Sequence, residues 1–143
     1  MANVFDTAQY ILKKCGRMST MKLQKLCYYS QAWSLVWDEA PLFNEDFEAW
    51  ANGPVCPVLF KQTKGKYAVT AEDEPVGEVD LTGDQKKTID AVLAHYNKYD
   101  AQYLSALSHL EDPWKLTRGD LPAGAPSNKV IEKDDIARYY SGL

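Results

Sequence analysis

The stretch from Met21 to Trp37, MKLQKLCYYSQAWSLVW, contains neither Gly nor Pro. Leu23, Leu26, Cys27, Ser30, Trp33 and Trp37 recur at the i, i+3, i+4, i+7 spacing of one helical face. The other sides are not polar either, because Tyr28, Tyr29, Leu35 and Val36 lie on them. A helix that is apolar nearly all round is wrapped by other elements. This stretch therefore reads as the central helix of a small helical domain.

Before it, Asn3 is placed to cap a helix with Asp6 in its first turn, an apolar face of Phe5, Ala8, Ile11, Leu12 and Cys15, and Gly16 as its stop. Ser19 or Thr20 caps the central helix, and so short a link makes the two helices packed neighbours. Pro41 ends the central helix. Phe47, Ala49 and Ala51 then alternate with Glu48, Trp50 and Asn52, an extended pattern that runs into the turn signal Asn52-Gly53-Pro54. Pro57 suits the first turn of a helix carrying Val58, Leu59 and Phe60 and closing near Gly65. Residues 67–83 read as a solvated loop with a small β-hairpin around Val76 and Val79.

Thr82 and Gln85 form a T-x-x-Q capping box for a helix with Ile89, Val92, Leu93 and Tyr96 on its face. Asp100 caps the next, whose face is Tyr103, Ala106, Leu107 and Leu110. Glu111-Asp112-Pro113 breaks it and Trp114 begins a short new turn. Leu121 to Lys129 is loop, and Ile131 to Tyr140 is a last helix with Ile136, Tyr139 and Tyr140 available for packing. The fold class is mainly α: a compact bundle of about six helices around the central hydrophobic helix, with a minor β element. Residues 1–143 are expected to form one domain.

Composition narrows the function. The formal charge of −4 argues against nucleic acid, whose binding rests on neutralising phosphates with Lys and Arg. No apolar run approaches the ~18 residues of a membrane span. The N-terminus lacks the pattern of a secretory signal, so a cytoplasmic location is expected. Cys15, Cys27 and Cys56 are widely spaced and read as reduced thiols acting as small hydrophobes.

The sequence carries no recognisable catalytic signature. His95 and His109 belong to no metal-binding spacing, and there is no phosphate-binding glycine loop or nucleophile elbow. No catalytic, metal or cofactor site is expected, so the chain reads as not an enzyme. Ser105, Ser108, His109, Glu111 and Asp112 are the nearest approach to a triad, but no strained turn presents a nucleophile. His109 reads instead as a hydrogen-bonded residue near a helix end, meeting orphan carbonyls. Trp50 and Trp114 read as core before they read as binding anchors. The acidic residues Glu72, Asp73, Glu74, Glu78 and Asp80 are a solvated run first and a surface for a basic partner second.

The order Leu23-Gln24-Lys25-Leu26-Cys27-Tyr28-Tyr29, Pro41-Leu42-Phe43 and Phe47 to Val55, with Ala49-Trp50-Ala51-Asn52-Gly53-Pro54-Val55 at its centre, resembles the SocA-like or Panacea domain family, also called the GepA-like phage-associated domain. Leu107-Ser108-His109 followed by Pro113-Trp114 is similar to its second signature, and the resemblance runs from about Val4 to Tyr140. Cys27, often aliphatic in the family, and the acidic insert after Tyr67 depart from the pattern. The resemblance implies an antitoxin-type interaction domain, often phage or mobile-element associated. Such a domain neutralises a toxin encoded nearby by binding it, or acts as an adaptor that delivers it to an AAA+ protease.

On that reading Tyr28, Tyr29, Glu72, Asp73, Glu74, Glu78 and Asp80 are the candidate partner-binding residues. Leu23, Lys25, Leu26, Tyr28, Trp50, Gly53, Pro54, His109, Pro113 and Trp114 are motif residues with a structural role. Two alternative readings are a DNA-binding regulator resting on Arg17, Lys22 and Lys25, and a hydrolase using His109 and a serine.

Overall fold

The computed structural model describes residues 2–73 and 79–143. Helix α1 (Val4–Cys15) opens on a capping box, in which the Asn3 side chain accepts from the Asp6 amide while Asp6 accepts from the Asn3 amide. A two-residue strand, β1 (Met18–Ser19), leads into α2 (Thr20–Trp37), for which Ser19 supplies the N-cap. The chain then forms β2 (Phe47–Trp50), β3 (Gly53–Val55), α3 (Pro57–Thr63) and β4 (Ala68–Val69). Helices α4 (Gly83–Tyr96), α5 (Ala101–His109) and α6 (Asp112–Arg118), strand β5 (Val130–Ile131) and α7 (Lys133–Ser141) complete it.

Helix α2 is the axis of the fold, packed by α1, α3, α4, α5 and α7 and by the hairpin. Leu23, Leu26, Cys27, Tyr28, Tyr29 and Ala32 are all enclosed, which accounts for its lack of a polar face. β2 sits between β3 and β5, antiparallel to both, with Trp50 opposite Gly53 and Phe47 opposite Ile131. The second sheet joins β1 to β4 across the chain, Met18 opposite Val69.

Several expectations change. Tyr28 and Tyr29, expected as partner contacts, are 1% and 0% exposed, because α7 and α4 close over that side of α2. Trp37, assigned to the apolar face, is half-exposed at the helix end. Helix α5 turns Leu104 and Ser108 inward, and Tyr103 and Leu110 face solvent. Ile131 belongs to β5, so the last helix starts two residues later than the periodicity suggests. The segment read as loop contains β4 and a 3-10 turn, Ala71–Asp73. Glu74, Val76 and Glu78, and with Val76 the small hairpin expected there, lie outside the described residues.

Candidate interaction site: the clamped hairpin

The buried central helix carries polar side chains at Gln24, Lys25 and Gln31, and each holds a segment of backbone. Gln31 accepts from the Leu42 amide at 2.7 Å and donates to the Phe43 carbonyl at 2.8 Å, so it pairs with Pro41-Leu42-Phe43 as a neighbouring strand would. Seven residues earlier on the same face, Gln24 accepts from the Cys56 amide at 2.8 Å and donates to its carbonyl at 3.2 Å. Buried backbone groups need such partners, and here side chains supply what no sheet does.

The hairpin between these two anchors is held in the same way. Arg118 donates to the Ala49 carbonyl at 2.9 Å, Trp114 Nε1 to Trp50 at 2.8 Å, Ser105 to Asn52 at 2.6 Å and Lys25 Nζ to Pro54 at 3.1 Å. Gln24 at Cys56 completes a series of carbonyls between residues 49 and 56 that take donors from α2, α5 or α6. Gly53 closes the turn at φ 109°, where a side chain is strained. A Cβ there would lie 2.7 Å from Lys25 Cε and 2.8 Å from Ser108 Oγ. Glycine is thus required by conformation and by contact together.

The donors are themselves stacked. The His109 and Trp114 rings lie face to face, 4.0 Å between centroids, and the Arg118 guanidinium sits 4.9 Å from the Trp114 ring centroid. Arg118 reaches on to the carbonyls of Pro122 and Ala125, which fixes the loop after α6. Burial lowers the His109 pKa, helped by the charges of Lys25 and Arg118 and opposed by a backbone hydrogen bond at Ala51. His109 therefore acts as a stacked neutral ring, with Nε2 buried and without a hydrogen-bond partner, rather than as a donor to the carbonyls at the end of its own helix.

This geometry disposes of the triad-like group. The Ser105 hydroxyl gives its proton to Asn52 and the Ser108 hydroxyl gives its proton to Ser105, so neither is held by His109. Glu111, an acid of that group, is 7% exposed and accepts from the hydroxyls of Tyr29 and Tyr140 at 2.7 Å each. Burial raises its pKa, and the two tyrosines oppose that less strongly. The Tyr28 hydroxyl lies 3.2 Å from that of Tyr140, and the Tyr29 ring stacks on Tyr96 at 4.2 Å. Tyr28 and Tyr29 thus belong to a buried aromatic and carboxylate knot. Among the described residues there is no group of three or more His, Cys, Asp or Glu able to hold a metal ion.

What the clamp exposes is the tip of the hairpin. The Asn52 side chain is in solvent while Gly53, Pro54 and Val55 are buried behind it. A depression of about 370 Å³ lies on one side, lined by Met21, Asn52, Gln102, Ser105, Ala106 and His109. On the other, about 510 Å³ is bounded by Trp50, Asn52, Gly124, Pro126, Ser127 and Asn128. Glu72, Asp73 and Asp80 are exposed; Asp73 caps the 3-10 turn through the Thr70 amide at 2.7 Å, and that bond lowers its pKa.

Of the motif residues, Lys25, Gly53, Pro54, His109 and Trp114 meet at the hairpin, and Leu23, Leu26 and Pro113 are buried. From the sequence, Gln24 stands only within the family motif, Gln31 and Arg118 receive no role, and Ser105 and Glu111 are weighed only for catalysis. A glutamine inside an otherwise apolar helical stretch was the available signal.

The family described as antitoxin SocA-like, Panacea domain matches residues 23–115 of the chain. That span begins at the first residue before Gln24 and ends at the residue after Trp114. Antitoxin SocA of Caulobacter vibrioides (strain NA1000 / CB15N) is 30% identical over 111 residues, covering 69% of this chain. The chain spans 59% of the length of that relative. No solved structure matches.

Proposed function

The chain belongs to the antitoxin SocA-like, Panacea domain family, and from that premise we propose that it is an antitoxin that neutralises a partner toxin by binding it directly. The observation that carries the reading is the overlap of the family match with the clamp. Residues 23–115 contain both the donors Gln24, Lys25, Ser105 and Trp114 and the hairpin they hold. A backbone fixed at so many points reaches its partner already ordered, so binding loses little conformational entropy there. The proposed contact is the tip at Asn52 with its two flanking depressions. Glu72, Asp73 and Asp80 are a second proposed contact, suited to a basic partner. The partner is a toxin whose gene lies beside this one. No helix among the described residues is long and apolar enough to cross a membrane.

Co-expression with the neighbouring open reading frame tests this. The expected outcome is growth inhibition by the neighbour alone, rescue by this chain, and co-purification of the two. Asn52→Arg should abolish rescue while leaving the fold intact, since the clamp uses only the Asn52 carbonyl. A neighbour that is harmless alone and never co-purifies would sink the reading. Toxin abundance in the rescued cells separates two modes: an unchanged level means occlusion, and a falling level means delivery to an AAA+ protease.

A further inference from the structure

Lys25 stands where the central helix meets the hairpin, and it is wholly enclosed. Its Nζ reaches the Pro54 carbonyl at 3.1 Å, and its Cε and Nζ press on the Gly53 Cα face, with the Ser108 hydroxyl beside them. An ammonium has three N–H donors, and among the described residues the Pro54 carbonyl is the one acceptor it reaches. Among the described residues, the charged and titratable groups on the elements packed there offer no counter-charge. From α5 it meets His109, and Arg118 on α6 adds a second cation to that ring. On β2, Glu48 is engaged with Trp50 Nε1 at 2.8 Å. At the head of α6, Glu111 is engaged with Tyr29 and Tyr140.

A buried lysine without a carboxylate is a charge the fold does not accommodate, and the hairpin is the side able to yield. Helix α2 is fixed by five neighbouring helices, whereas the hairpin tip borders open depressions on both flanks. We propose that Lys25 is a proton-operated latch, which holds the hairpin shut as a neutral amine and lets Gly53–Pro54 lift from α2 and α5 when it takes up a proton. Lifting would admit water to the ammonium and open the base of the surface at Asn52.

Desolvation brings the amine from its ordinary value of 10.5 down to about 7, so the switch operates near neutrality. The direction follows from linkage. The closed state binds the Lys25 proton less tightly than any state that wets it. Closure is therefore weakest below about pH 7 and strengthens as pH rises toward the solvent-exposed value. His109 cannot offset this, since its own protonation is opposed by the same Lys25 charge.

Backbone hydrogen exchange on the full chain at about pH 8.5 and about pH 6, corrected for intrinsic rate, tests the latch. With exposed lysine near 10.4, hairpin protection should fall about 30-fold between these conditions. The amides of Ala49 to Val55 should then be less protected at the lower pH than those of Val92 and Leu93 in α4. In Lys25→Met the hairpin should lose this dependence. Hairpin and α4 amides moving in lockstep at both pH values would overturn the latch, as would a dependence that survives Lys25→Met. Should that variant not fold, carbon NMR of the lysine side chains in the unaltered protein decides the matter. A lysine titrating near neutrality together with hairpin signals supports the latch, and all lysines titrating near 10.4 would refute it.

Discussion

Gly53→Ala perturbs the clamp where the geometry allows least room. Two effects add. The residue sits at φ 109°, and an L side chain there carries about 1–2 kcal/mol of backbone strain. The new methyl would also stand 2.7 Å from Lys25 Cε and 2.8 Å from Ser108 Oγ. Lysine is flexible, but this one is fully enclosed with its amine bound to Pro54, and turning Ser108 away breaks its bond to Ser105. Overpacking of that kind costs about 1–3 kcal/mol. The sum, about 2–5 kcal/mol, is a large part of the 5–15 kcal/mol typical of a domain.

Gly65 supplies the control, because its φ is 88° and nothing lies within 4 Å of its Cβ position. Gly65→Ala should therefore show the strain alone. Urea denaturation of both variants measures the difference, which should be about 1–3 kcal/mol in the direction of Gly53. If Gly53→Ala costs no more than Gly65→Ala, the hairpin is not pressed on Lys25 and Ser108 as described, and the argument for the clamp fails.

Other perturbations probe the remaining anchors. Gln31→Leu leaves the Leu42 amide and the Phe43 carbonyl buried without partners and should cost about 2–4 kcal/mol, read from the same denaturation curves. Arg118→Ala removes donors to Ala49, Pro122 and Ala125, so amides in residues 119–129 should exchange faster while α4 is little changed. Unaltered exchange would show that the guanidinium does not hold this loop. Glu111 titrates in the opposite sense to Lys25. Burial raises its folded-state pKa, so its contribution is fully present below the unfolded value and declines as pH climbs through the folded one. Glu111→Gln should remove that decline, so the stability gap between variant and parent should shift in the variant's favour above about pH 4.3; a gap independent of pH contradicts this.

Much of the backbone was legible in the residues. Asn3 with Asp6 and Thr82 with Gln85 marked helix starts because a capping box is a local device, complete within four residues. Asn52-Gly53-Pro54 marked the turn for the same reason. Contacts made at long range were not legible. β1 and β4 pair across about fifty residues and are two residues long, so no periodicity announces them. A helix that is apolar on every side does not say which side is covered last, and Tyr28 and Tyr29 were placed outside on that account. The clamp was hidden more deeply. Gln24, Gln31 and Arg118 look like surface residues until the backbone groups they satisfy are brought beside them.

If the chain neutralises a toxin by direct contact through the clamped tip, the mass of the species it forms shows it. The product of the adjacent open reading frame, co-expressed with the chain and purified, would be passed over a sizing column with light scattering, alongside the Asn52→Arg variant. The expected outcome is a single complex containing both proteins for the parent and separate peaks for the variant. Separate peaks for the parent, in cells where it still restores growth, would contradict it.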